Sequence, residues 1–233
     1  MDKIKQLVIT FLMLIVYCYL TPKNGSITTL YGGIPVGGNL YFFLLNYFLF
    51  AIFSFFIFES TQKYINGYGI FQLVRHQSRK KIFQLLFSEL IKYILIIESL
   101  KIFCYLLLNF IQRKQLPMYH LDVLVLFFGT IFCMIVFLLI QMLLEAKYSS
   151  KISLLYTQVI YILILFGSDI CLKYFPNSVI NYLFLNNYMM MRHYTLLNTS
   201  FLVNTLIVTL LFVLLTSTLY LTGKHIFEEK DIL

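Results

Sequence analysis

The sequence predicts an all-α, polytopic membrane protein with six transmembrane helices, and three observations carry that expectation. The 233 residues are 60% hydrophobic, with a mean hydropathy of +0.84. Only 12% are charged, against about 25% in ordinary soluble domains. Several apolar runs approach or exceed the roughly 18–20 residues that cross a bilayer as a helix. A transmembrane barrel would instead need short segments of alternating polarity, and residues 40–58 are apolar on every side.

The first span is expected at about residues 4–20, behind Lys3 and Lys5. A basic start before an apolar run also fits a secretory signal. No small-residue cleavage site follows, and five more spans do, so a retained anchor is expected. Residues 21–39 form a polar loop holding GGIPVGG. Its glycines and Pro35 are turn formers; the pattern is not GxGxxG and has no phosphate-binding role. The second span covers residues 40–58. It leads into residues 59–81, ESTQKYINGYGIFQLVRHQSRKK, the one long polar and basic stretch in the chain.

A long apolar helix is expected over residues 82–111. At 1.5 Å per residue it would measure about 45 Å, against a hydrocarbon core of about 30 Å. Its first third should therefore run along or below the interface, leaving a third span at about 91–111 and an interfacial element over 59–92. The remaining spans fall at about 123–144, 152–168 and 201–221. Residues 174–194, YFPNSVINYLFLNNYMMMRHY, are too apolar for a free loop and too interrupted by Asn and Pro for a full span. A re-entrant or interfacial helix pair suits them, because irregular backbone near the membrane must be covered by protein. The alternative is a loop whose aromatics rest among the headgroups. The whole chain, 1–233, reads as a single transmembrane domain.

An even number of spans places both termini on one side. Eleven of the eighteen Lys and Arg residues fall on that side, five on the other and two within the third helix. The excess marks the N-terminal side as cytoplasmic. The net charge of +8 is thereby explained by orientation. With no basic helix or RNA-binding motif present, no nucleic-acid partner is expected. Tryptophan is absent while Tyr numbers 18, so tyrosine must supply the interfacial aromatic belt.

Residues 59–81 have two readings. Gly67 and Gly69 break the helix leaving span two. Beyond them Tyr68, Ile70, Phe71, Leu73 and Val74 precede Arg75, Arg79, Lys80 and Lys81. That is the pattern of a short amphipathic helix lying on the membrane with a docking face. Charge alone equally fits a loop that only orients the protein. The third helix carries Glu89 with Lys92 and Glu98 with Lys101, each spaced i, i+3 so that the pair can meet on one face. Nine residues separate the pairs, half a turn beyond two full turns, so they face opposite ways. Glu98 and Lys101 fall within the bilayer, where charges are costly unless paired or turned to a polar interior. They could line a polar interface or pathway, or simply neutralise each other and pin helix rotation. Glu59 and Asp169 close spans two and five as boundary residues.

No catalytic set is present: neither HExxH nor GxSxG occurs, and there is no GxxxxGK[ST]. Cys18, Cys104, Cys133 and Cys171 form no CxxC and read as apolar thiols. His76, His120, His193 and His225 make no metal-ligand spacing. The chain is not expected to be an enzyme, to bind a metal or to hold a cofactor.

Six spans, a cytoplasmic segment after span two that starts at Glu59, then Gly67 or Gly69 and an R..SR element (Arg75, Ser78, Arg79) feeding a long third helix, resemble the permease subunits of type-2 ABC exporters. The tail FEEKDIL, residues 227–233, and the apolar segment between spans five and six are similar to that family too. The nearest likeness is to small Gram-positive permeases linked to bacteriocin or lantibiotic export and self-immunity. The resemblance implies an exporter subunit for an amphiphilic substrate such as an antimicrobial peptide. It implies a second permease subunit, alike or unlike, and ATP bound by a partner ATP-binding subunit. It makes the segment after span two the coupling segment, with Glu59, Gly67, Tyr68, Gly69, Phe71, Arg75, Ser78 and Arg79 docking on the ATPase. The segment lacks the family's Gly-Thr after Glu59, carrying GYG instead. The alternative reading is a non-transporting membrane immunity or scaffold protein.

Overall fold

The computed structural model describes residues 3–21, 27–62, 79–113, 122–197 and 201–229. Seven α-helices occur among them: α1 (Lys3–Leu20), α2 (Leu40–Ile57), α3 (Arg79–Arg113), α4 (Asp122–Lys147), α5 (Ser150–Tyr174), the four-residue α6 (Met191–Tyr194) and α7 (Phe201–Glu229). Short 3-10 turns lie at Ile27–Tyr31, Val179–Leu183 and Leu185–Tyr188. Five helices are long and apolar enough to cross a membrane, those at α2, α3, α4, α5 and α7; the apolar part of α1, Lys5–Leu20, is shorter. Helix length and hydropathy make this a multi-pass membrane protein.

The helices begin where local chemistry starts them. Asn39 caps α2, its side chain accepting from the Tyr41 N–H at 3.1 Å, which satisfies one orphan donor of the first turn. Before it, the GGIPVGG loop turns on Gly33, Gly37 and Gly38, all at positive φ. At Gly33 a Cβ would lie 2.4 Å from Met190 Cβ, so both the conformation and the contact require glycine.

Helix α4 is the hub. It packs on α2, α3, α5, α7 and two of the 3-10 turns. Its most apolar stretch is 72% buried, against 28% for that of α5 and 11% for that of α7. An apolar helix buried all round is a core element, whereas α7 leaves most of its apolar stretch unburied. Stacked rings join the hub to its neighbours. Phe50 of α2 stacks on Tyr161 of α5 at 3.9 Å, and both meet Phe137 of α4 edge-on. Phe132 of α4 stacks on Phe212 of α7 at 4.0 Å.

Helix α3 lies close to the expected residues 82–111, whereas the cover over its first turns, the ends of α5 and α7 and the fold of residues 175–190 differ from the sequence expectation. Helix α3 is continuous from Arg79, and its first turns are covered by the end of α7: Phe83 meets Tyr220 and Phe227 at 5.2 and 5.3 Å. Gly223 makes the room, since a Cβ there would lie 2.3 Å from the Phe83 ring. That packing also explains why α7 runs on to Glu229, beyond residue 221. Helix α5 continues past Asp169 to Tyr174. Residues 175–190 form no helix pair; they fold as 3-10 turns around buried Asn181, Asn186 and Asn187. The tyrosines divide between two tasks. Tyr19, Tyr41, Tyr148 and Tyr174 are exposed near helix ends, as a belt requires, while Tyr17, Tyr31, Tyr105, Tyr161 and Tyr188 are buried.

Candidate functional site

Helix α2 does not fade into the segment that follows it; it breaks. The Phe58 N–H turns back to the Phe55 carbonyl at 3.2 Å, and Glu59 takes φ +65°, the only non-glycine residue at positive φ among those described. A positive φ is uncommon for a side chain other than Gly, Asn or Asp, so something must hold it. The holder is Glu145, in the last turn of α4. Its two carboxylate oxygens accept from the Glu59 N–H at 3.2 Å and the Thr61 N–H at 3.3 Å. One turn deeper, Ser54 Oγ donates to Gln141 Oε1 at 2.5 Å and Gln141 Nε2 donates to the Ser54 carbonyl at 3.1 Å. Gln62 Nε2 reaches the Tyr148 carbonyl at 3.1 Å. The end of α2 is therefore fixed to the end of α4 before the chain enters the basic segment.

The second cluster lies within the bundle. Lys101 Nζ is 2.6 Å from Glu98 Oε1, and both side chains are 0% exposed. The same oxygen accepts from the Tyr31 hydroxyl at 2.8 Å, and the ammonium stands 4.3 Å over the Tyr31 ring. The 3-10 turn Ile27–Tyr31 is thus drawn onto α3, a docking supported by a Thr29–Tyr105 hydroxyl contact. Cys18 Sγ of α1 donates to the Lys101 carbonyl at 3.4 Å. The tyrosine serves the acid with its hydroxyl and the base with its π face, while Glu98 Oε2 has no hydrogen-bond partner among the described residues. By contrast, Glu89 is half-buried and Lys92 exposed, on the opposing face as the helical spacing requires.

The third cluster is the cap over the end of the bundle where α1 and α5 finish. Asp169 Oδ1 accepts from the Gly37 N–H at 3.2 Å and lies 3.9 Å from His193 Nε2. His193 Nδ1 is 2.9 Å from Asn187 Oδ1. Asn187 Nδ2 donates to the Asn181 carbonyl, and Asn181 Nδ2 to the Phe175 and Pro176 carbonyls. Asn186 Nδ2 donates to Ser168 Oγ at 2.6 Å. Asp169, Asn181 and Asn187 thereby satisfy irregular backbone that has no helix to do so. Burial pushes the His193 pKa down to about 4, only partly opposed by the Ile34 carbonyl, so the ring is neutral at pH 7. The cap sits on the hub at Gly129, where a Cβ would lie 2.3 Å from the Tyr188 carbonyl oxygen.

A family profile matches residues 4–232, nearly the whole chain, under the description protein of unknown function (DUF2705). The chain belongs to the DUF2705 family. No curated protein and no solved structure matches it.

Within this DUF2705 chain the expected site residues divide sharply. Glu98 and Lys101 meet as the spacing requires. Glu59 stands at the break that opens the basic segment. Arg79 is the first residue of α3. Gly67, Tyr68, Gly69, Phe71, Arg75 and Ser78 lie outside the described residues. Sequence reasoning missed Glu145, Tyr31 and the Asp169–His193 contact. An acid ending the most apolar helix was a signal for Glu145. Tyr31 gave none, because its role depends on where a turn lands on α3. His193 stands alone in sequence, yet the fold sets Asp169 beside it.

Proposed function

We propose that this DUF2705 chain is the membrane-spanning permease subunit of an ATP-driven ABC exporter for an amphiphilic substrate such as an antimicrobial peptide. It lies in a bacterial plasma membrane with both termini cytoplasmic, beside a second permease subunit. The chain itself is not an enzyme: it has no phosphate-binding loop, and ATP is held and hydrolysed by a partner ATP-binding subunit. The observation that carries the reading is the α2–α4 junction. A coupling segment needs a defined attachment to the bundle. Here Glu145 grips both sides of the Glu59 break, and the segment re-enters at α3, whose first turns are braced by α7. A push on residues 59–81 would then reach α3 and the hub directly, as a two-state transporter requires.

The test is purification of the tagged chain from its native membrane in mild detergent, with identification of whatever stays bound. An ATP-binding subunit is expected. Tyr68→Ala with Phe71→Ala should lower its recovery at least about tenfold, as loss of two aromatic anchors does. If no ATP-binding partner is recovered, the exporter reading fails and the non-transporting immunity or scaffold protein takes its place.

A further inference from the structure

Two neighbouring hollows at the cap end differ in character. One is a cavity of about 210 Å³ between the end of α1, the start of α2, the Ile27–Tyr31 turn and α6. Its wall includes Tyr17, Thr21, Thr28, Asn46 and Arg192, with polar and apolar surface in similar measure. The other, on the outside of the α1–α2 pair, is an almost wholly apolar groove of about 450 Å³ along Val16, Leu20, Leu44 and Phe48. Leu45 forms part of both walls.

Arg192 sets the polarity of the first hollow. Its Nη1 donates to the Gly33 carbonyl at 3.1 Å, and its guanidinium lies 4.3 Å over the Phe42 ring. Among the described residues no carboxylate stands within ion-pair distance of it. A guanidinium fixed at one N–H and stacked on a ring keeps the rest of its planar fork for an acceptor. The preferred acceptor of such a fork is a carboxylate or a phosphate. The Tyr17 and Thr21 hydroxyls already donate to the Leu30 and Tyr17 carbonyls, but Asn46 Nδ2, bonded once to the Phe42 carbonyl, has a second N–H for the same space, and a phosphate diester has oxygens enough for both Asn46 and Arg192. The volume is several times the roughly 30 Å³ of a water molecule, room for a phosphate and its ester carbons. An anionic head held beside an apolar groove is the outline of a phospholipid.

We propose that the cap-end cavity and the adjoining α1–α2 groove bind a phospholipid-type amphiphile, the phosphate against Arg192 and the acyl chain along Val16, Leu20, Leu44 and Phe48. The site does not depend on the exporter reading; a scaffold protein would bind the same lipid.

Calorimetry on the purified chain in a maltoside detergent tests it with three probes: dihexanoyl-phosphatidylglycerol, inorganic phosphate and dihexanoylglycerol. The phosphatidylglycerol should bind, and each of the other two at least about tenfold more weakly, because each lacks one half of the ligand. Arg192→Gln should weaken the phosphatidylglycerol about tenfold or more. Asn46→Leu should also weaken it, and this variant breaks only a bond within α2, to the Phe42 carbonyl. It decides the matter if Arg192→Gln does not fold. Leu44→Ser should weaken the phosphatidylglycerol and leave phosphate unchanged. Phosphatidylglycerol binding that matches the parent in Asn46→Leu and in any folded Arg192→Gln would overturn the site. Inorganic phosphate binding as tightly as the lipid would overturn the amphiphile and leave a free-anion site.

Discussion

Glu98 and Lys101 meet at 2.6 Å on one helix, whereas Asp169 and His193 face each other at 3.9 Å across α5 and α6. The first pair is made by helical geometry: residues three apart share a face wherever the helix goes. The second is made by the fold alone, since it needs the 3-10 turns of the cap to bring α6 back over α5. The first holds two full charges in a site with no exposure, where an opposite charge in contact is the main compensation. The second holds a carboxylate and a neutral ring, with burial opposing protonation. One contact tolerates no unpaired state; in the other the carboxylate keeps its Gly37 N–H whether or not the ring carries a proton.

The largest effect should come from unpairing the first. Glu98→Ala strands the Lys101 ammonium in a closed site, a loss on the order of 3–5 kcal/mol. It should appear as a collapse in the yield of monodisperse protein. Adding Lys101→Met should restore most of that yield. A single variant as mild as the double would mean that the pair does not govern stability.

Next comes the pH response of the second. The folded His193 pKa lies below the unfolded value of about 6.5, so between pH 6.5 and about 4 the unfolded chain binds the extra proton. The neutral ring's contribution is therefore fully present above pH 6.5 and is lost as pH falls toward 4, a span worth at most about 3 kcal/mol. Thermal unfolding should show Tm falling across that window, and His193→Asn should flatten the fall. A fall in Tm as steep in His193→Asn as in the parent would show that the ring does not set the response.

The smallest effects test the first contact from its edges. Tyr31→Phe removes one hydrogen bond to a charged oxygen and should cost about 1.5 kcal/mol. Glu89→Gln, at the same spacing from Lys92 but half in solvent, should cost less than about 0.5 kcal/mol. Equal effects of Glu89→Gln and Glu98→Gln on unfolding would erase the distinction between the two faces of α3.

What could be read in advance follows the same division. The extents of α2 and α3, the opposed faces of Glu89 and Glu98, and the turn at GGIPVGG depend on residues close in sequence. Periodicity and turn chemistry report those. The overrun of α5 past Asp169 was hidden, because the charge that suggested a boundary is satisfied by the Gly37 N–H, far away in the chain. The overrun of α7 was hidden because Gly223 only makes sense against Phe83. The cap was misjudged for a related reason. Its apolar content suggested helices, but Asn181 and Asn187 spend their amides on backbone carbonyls outside any α-helix, and Asn186 spends its own on the Ser168 hydroxyl. Glu145 was legible as an anomaly and illegible as a clamp, since its partners are backbone N–H groups with no sequence signature.

The burial of α4 has a consequence for how the protein is made. In N-to-C synthesis α1, α2 and α3 reach the membrane before α4, on which α2 and α3 pack, exists. During that interval α3 has no α4 to pack on, yet it already carries Glu98 and Lys101. Because those two residues can neutralise each other along their own helix, the stretch of α3 that holds them can enter lipid without waiting for a later segment. The hub then arrives to an arrangement whose charges are already settled, and α7, the least enclosed helix, closes the set last.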